Sequence, residues 1–463
     1  MTSTVMPEQV GEHAVVLGAS MAGSLAARVL TEAYRKVTVI DRDVLPEGGV
    51  HRRSVPQGHH LHVLLPRGRE VLEALFPGFT AEAVQAGAPM GDGLGTLRAV
   101  VSGHRLRQVD VGRLGLFVSR PFLEGRVHAR LRALPEITFV EGSDIAGPVT
   151  TADRRRITGV TVRGPDGHPQ QIMADLVVDA TGRGSRTPIW LREWGYRPPA
   201  EDRIDIRLGY ATRTLRLRPG AIGNDTFIAI GPTVDNPRMG ALGVTEGGRH
   251  ILTLGGILGD YPPTDPAGFE AFAASLPAPD IAQAIQGAEP LGDPVAFRFP
   301  ASVRHRYERL RAFPDGLLVI GDAVSSFNPI YGQGMTVAAQ QAMALRRLLV
   351  RTPQPAPRHY FRLIAKTIDP PWNIAVGADL AFPDVPGIRT ATTRLVNAYM
   401  PRLLAAAAHD ATLSVAFARV QGLIDRPEGL LRPDRVVRVW WTNRRHPSQP
   451  TITMTPNSHL SSR

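Results

Sequence analysis

The chain has 463 residues, of which 43% are apolar and 21% charged, a balance that supports two or three domains with sizeable cores and excludes a disordered or fibrous chain. It contains no cysteine, which excludes disulfides, thiolate nucleophiles and Cys-ligated metals or clusters. The net charge of +11 is carried almost wholly by arginine, and the arginines are scattered apart from "RRR" at 154–156 and the tail, so the charge reads as general surface charge and not as a nucleic-acid face.

The first residues lack the basic-then-apolar pattern of a signal peptide, and no apolar run is long enough to span a bilayer; "LLAAAAHDATLSVAFARV" is broken by His409 and Asp410. A cytoplasmic location is expected. His13 to Leu17 reads as an apolar strand ended by Gly18, Ala22 to Leu30 as a helix of Ala and Leu, and "VTVID" as a β-branched strand closed by Asp41. Together they predict one βαβ unit. The Gly/Pro/His-rich loop "LPEGGVHRRSVPQGHHLHVLLPRG" precedes an amphipathic helix near "GREVLEALF", and a hairpin is predicted around Ser102-Gly103. Ser119 is placed to cap a helix with Pro121 in its first turn. A hairpin turning at Pro165-Asp166-Gly167 leads to a buried strand that ends at Asp179-Ala180-Thr181-Gly182. From 197 to 305 alternating strands with two short helices, near "GFEAFAASL" and "DIAQAIQGA", predict a second, mainly antiparallel domain. The apolar "GLLVI" then runs into "GDAVSSFNPIYGQGM" and a helix; 351–442 reads as helical, and the polar tail 443–463 as mobile.

Two stretches carry chemistry. In "GASMAG", Gly18 suits a tight turn, Ser20 a close approach and Gly23 close helix–strand packing, so that backbone N–H groups at the helix start face a pyrophosphate. Asp41 follows at the spacing of a ribose-binding acid. A long dinucleotide such as FAD needs a second grip. Asp322 is suited to accept hydrogen bonds from ribityl hydroxyls, and the helix after Gly332-Gln333-Gly334 to point its positive end at the flavin ring edge.

On these residues the chain resembles the FAD-dependent monooxygenases of the para-hydroxybenzoate hydroxylase superfamily. "GASMAG" matches the first fingerprint in its G-x-S-x-A-G variant, "DLVVDATGRGS" resembles the middle Asp-Gly fingerprint, and "GDAVSSFNPIYGQGM" matches the flavin loop. "VPQGHHLH", Ser119-Arg120 and "FNPIYGQGM" are most similar to epoxidases of polyether antibiotic biosynthesis that act on linear polyenes. The resemblance implies an α/β fold: a Rossmann-like FAD-binding domain (1–92, 117–196 and 306–350), a mainly antiparallel β-sheet substrate domain (93–116 and 197–305), a helical C-terminal region and a flexible tail. It implies FAD contacts at Gly18, Ser20, Gly23, Asp41, Arg42, Arg52, Arg120, Asp179, Gly182, Asp322, Pro329, Gly332, Gly334 and Met335. Ordinary surface charge is the alternative for Arg52 and Arg120.

The resemblance also implies insertion of one O2-derived oxygen through a flavin C4a-hydroperoxide, with O2 as co-substrate and NAD(P)H or a separate flavin reductase as electron source. No catalytic residue is assigned with certainty; Gln57 and His60 are candidates near the flavin or substrate. Phe327, Tyr331 and Trp372 are candidates for an apolar substrate pocket, with core packing as the alternative. His59, His60 and His62 lack the acidic partners or second His pair of a metal site, so no metal is expected. Without an unambiguous base to activate a phenol, epoxidation of a polyketide or isoprenoid-like polyene is the expected reaction. Aromatic hydroxylation and isoprenoid-type alkene reduction are the alternatives, with a flavin binder lacking turnover as the rival from another class. A halogenase is disfavoured because no W-x-W-x-I-P motif is present.

Overall fold

Five short strands with apolar inner halves form one parallel sheet in the computed structural model, which describes residues 11–112, 114–351 and 355–447. Their order is Leu317–Val319, Leu176–Asp179, Gly11–Leu17, Tyr34–Ile40 and Ile137–Val140. A parallel sheet is buried on both faces, and side chains alternate between them along each strand. Ala14, Val16, Val37, Val39, Val178 and Leu318 pack on one side with apolar residues of the helices Met21–Leu30 and Gly334–Arg351. Val15, Leu17, Ile40 and Val177 pack on the other with Ile157, Val160 and Val162 of a three-stranded antiparallel sheet.

The turn after the first strand is fixed by glycine. Gly18 has φ +99°, and a Cβ on Gly23 would run into the Gly18 carbonyl oxygen. Gly23→Ala therefore pushes the Met21–Leu30 helix off the sheet, at a cost of about 1–3 kcal/mol. Thermal unfolding checks this expectation; a variant as stable as the parent would refute it.

The second sheet is built on the long strand Glu201–Arg216, bent by a register shift between Asp205 and Leu208. It pairs antiparallel with Val295–His305 on one side and His250–Gly256 on the other. Beyond these lie Arg238–Val244, Phe227–Ile230 and the hairpin Leu97–Val101/His104–Arg105, the last joined through a parallel pairing of Phe227–Ile230 with Leu97–Val101. Ser102 and Gly103 both take positive φ, as the two-residue turn of that hairpin requires. Helices Pro266–Ala274 and Asp280–Ala284 cover part of the sheet through Phe269, Phe272 and Ile281. The C-terminal helices Ala391–Ala407, Ala411–Gln421 and Pro433–Arg445 pack around Ala99 and Leu106.

The structure corrects the sequence reading at two places. The strands Ile137–Val140 and Asp144–Thr150 were not anticipated. Residues 443–445, expected in a mobile tail, form the last turn of the Pro433–Arg445 helix, while 448–463 lie outside the described residues.

Candidate active site

Behind the Gly18 turn lies a buried ion cluster. Asp41 accepts the Ala19 N–H at 2.7 Å and pairs with Arg52 at 2.7 Å. Arg52 also reaches Asp43 at 3.3 Å and Glu124 at 3.4 Å. Glu124 accepts the Ser20 hydroxyl at 2.6 Å and Arg120 at 3.0 Å, and Arg120 donates to Ser20 Oγ at 2.6 Å. Burial alone would raise the Glu124 pKa, but the Arg120 and Arg52 guanidiniums and the Ser20 hydroxyl hold it below the usual carboxylate range. The surface-charge alternative for Arg52 and Arg120 is thereby overturned, since Arg52 is buried and Arg120 nearly so. Arg42 is exposed. Glu124 escaped the sequence reading; its signal was its place one turn after Arg120, at i+4 on the Arg120–Arg132 helix.

Asp179 is fully buried, and both carboxylate oxygens are used by its own loop. They accept the Thr181 N–H and hydroxyl and the hydroxyls of Ser185 and Thr187, at 2.5–2.9 Å. Asp179 thus ties the loop that carries Gly182 and Arg183.

The stretch after Leu317–Val319 makes a second turn. Gly321 has φ +72°, and its N–H donates to the buried Gln341 side chain at 2.9 Å. Asp322 is accessible to solvent although protein surrounds it, so it lines an internal cleft. Among the described residues no hydrogen-bond partner is seen for its carboxylate. Burial raises its pKa, against the opposing pull of Arg120 and Arg183. Arg120 thus links the two turns: it bonds Ser20 at one and acts on Asp322 at the other.

Beyond Asp322 the chain is latched from the C-terminal side. Asn328 Nδ2 donates to Asp379 Oδ1 at 2.8 Å, and the Tyr331 hydroxyl donates to the same oxygen at 3.0 Å. Asp379, 1% exposed at the end of the Pro357–Asp379 helix, has no partner on Oδ2 among the described residues. Burial pushes its pKa up to about 7, and the Asn328 and Tyr331 hydrogen bonds oppose this. Phe327 and Trp372 are buried in the core of the parallel-sheet region, with ring centroids 6.2 Å apart. They pack among other apolar side chains of that core, as the packing alternative has it. The side chain of Gln333, between Gly332 and Gly334, is buried with both polar atoms unpartnered.

The His-rich loop closes over the second sheet. His60 is bonded through Nδ1 to Thr212 Oγ1 at 2.8 Å, and its ring lies edge-on to Tyr210 at 4.5 Å and Phe297 at 5.5 Å. Burial, with minor help from His62, pushes His60 down to about 3. His62 donates from Nδ1 to the His60 carbonyl, and burial followed by the Arg120 charge pushes it down to about 4. Gln57 lies half-buried in the short turn Pro56–His59, with no side-chain bond among the described residues. Among the described residues no group of three His, Asp or Glu side chains converges as metal ligands would.

The chain is 38% identical over 388 residues to Protein Rv3254 of Mycobacterium tuberculosis, covering 80% of this chain and 81% of that one. It is 26% identical over 372 residues to kynurenine 3-monooxygenase of Salinispora arenicola, covering 74% of each. A flavoprotein/dehydrogenase from Cytophaga hutchinsonii has the same fold, with a TM-score of 0.67 at 16% identity, over 94% of this chain and 98% of that one. No family model matches the chain. It belongs to the FAD-dependent monooxygenases of the para-hydroxybenzoate hydroxylase superfamily.

A monooxygenase of this superfamily takes FAD and O2, and the cleft fits the flavin. Nothing lies within 4 Å of where a Cβ would stand at Gly182, Gly184, Gly332 or Gly334, so two backbone segments open onto free space. The enclosed Asp322 carboxylate and the Arg120 and Arg183 guanidiniums supply acceptor and donors for hydroxyls and phosphates. Among the described residues no helix of the monooxygenase is long and apolar enough to cross a membrane.

Proposed function

We propose that this monooxygenase inserts one oxygen atom of O2 into an apolar alkene, as an epoxidase of a polyketide or isoprenoid-like polyene in secondary metabolism. The observation that carries the reading is the state of the two imidazoles in the loop beside the cleft. A base whose conjugate acid has a pKa of about 3 or about 4 cannot take the proton of a phenol, near pKa 10. An alkene needs no such proton transfer.

FAD, when bound and reduced, supplies the activation of O2. In this reading Gly18, Ser20 and Gly23 line its pyrophosphate and Asp41, rigidly held by Arg52 and the Ala19 N–H, faces the adenosine ribose, with Arg42 beside the adenine. Asp322 accepts from ribityl hydroxyls. Pro329, Gly332, Gly334 and Met335 flank the flavin ring, and the N-terminus of the Gly334–Arg351 helix stabilises negative charge there. Tyr210, Phe297 and neutral His60 form an apolar wall that excludes water. Electrons come from NAD(P)H docked transiently or from a separate flavin reductase.

Aromatic hydroxylation is the second reading, favoured by the likeness to kynurenine 3-monooxygenase. Incubation with polyenes and phenols under 18O2 tests both. The expected product is a polyene heavier by one labelled oxygen, or by several after repeated passes. A labelled hydroxyarene replaces the epoxidase reading with the hydroxylase one, and hydrogen gain without O2 uptake overturns both.

A further inference from the structure

The last helix presents an apolar stripe to solvent. Val436, Val437, Trp440 and Trp441 of Pro433–Arg445 are 40%, 54%, 55% and 49% exposed, whereas Val439 is buried against the neighbouring helices. At about 100° per residue, 436, 440, 437 and 441 fall in one continuous arc roughly 140° wide, opposite the buried side. Arg444 falls within that arc and Arg445 about 40° beyond its end. Their guanidiniums lie over the Trp440 and Trp441 rings at 5.2 and 5.6 Å, and among the described residues neither has a carboxylate partner. Arg435 adds to the charge, whereas Arg432 pairs with Asp434 at 3.1 Å and Arg438 with Asp410 at 2.9 Å.

We infer that this helix docks the enzyme on an anionic lipid surface, with Trp440 and Trp441 seated at the headgroup level. Tryptophan is suited to that depth, with an apolar body and a polar N–H, and arginine pairs with lipid phosphates. Charge decides against the other occupants. A second copy of the face would set arginines against arginines. Residues 448–463 contain no Asp or Glu to neutralise them. A bilayer carrying anionic lipid supplies both the apolar layer and the negative charge.

The test uses the FAD-loaded full chain and flotation with vesicles of phosphatidylcholine, alone or mixed with phosphatidylglycerol. The protein is expected to float with the mixed vesicles and not with phosphatidylcholine alone, with a blue shift of tryptophan emission and release by salt. The double change Arg444→Glu and Arg445→Glu is expected to weaken partition by about thirtyfold or more. Trp440→Ser with Trp441→Ser is expected to abolish the blue shift while flavin content stays unchanged. Equal flotation by these variants and the parent, or no flotation with mixed vesicles, overturns the proposal. Loss of a dimer in the Trp variant without lipid would assign the face to self-association and overturn it equally, as would saturation of the face by an acidic protein in place of lipid.

Discussion

Asp322→Ala is expected to weaken FAD binding by ten- to a hundredfold, while Asp293→Ala, a change at an exposed acid, leaves it unaltered. The argument rests on a carboxylate that protein encloses and that lacks a protein hydrogen-bond donor. A charge-assisted hydrogen bond contributes about 1.5–3 kcal/mol, which converts to that range of affinity. Burial raises the Asp322 pKa, and the Arg120 and Arg183 charges oppose that rise. Asp322→Asn retains one acceptor and should fall between. Titration of apoprotein with FAD, followed by flavin fluorescence, reads all three; the same dissociation constant for the Asp322→Ala and Asp293→Ala proteins would refute the assignment.

The second large effect concerns Asp379. Its folded-state pKa of about 7 lies above the ordinary 3.8, so between these values the folded protein holds a proton that the unfolded chain has lost. Stability therefore falls as pH rises from about 4 to about 7 and is flat in this group's contribution above that. Three units at 1.36 kcal/mol each set the scale, so the loss is roughly 4 kcal/mol. Asp379→Asn cannot ionise and should be more stable than the parent at about pH 8, with the advantage gone near pH 4. Thermal midpoints across that range check it. A pH profile unchanged by the substitution would show that Asp379 is not the titrating group.

What could be read from the sequence was what a single segment dictates. Gly18 and Gly321 announce backbone turns because they close apolar strands, and both take positive φ. Asp322 stood out because an acid ending an apolar run has to face something polar. The strand alternation from 201 to 305 was legible for the same local reason, in "IRLGYATRTLRL" and its neighbours. Glu124, Arg183 and Asp379 were not legible, because their roles arise from packing between distant segments. Nothing around Asp379 in the sequence distinguishes it from a solvated acid near a helix end; Asn328 and Tyr331 make it part of the site. Phe327 and Trp372, read as pocket candidates with core packing as the alternative, lie in the core of the parallel-sheet region.

The register of the parallel sheet governs the order in which the enzyme can be made. Val15 lies beside Val177, and Val178 beside Leu318, so the central strand leaves the ribosome long before its neighbours on that side. High contact order of this kind slows folding and leaves strand edges waiting. The loop at 328–331 waits longer still, since its latch is Asp379. A nascent chain can therefore carry every nucleotide fingerprint before the 328–331 loop is fixed in place.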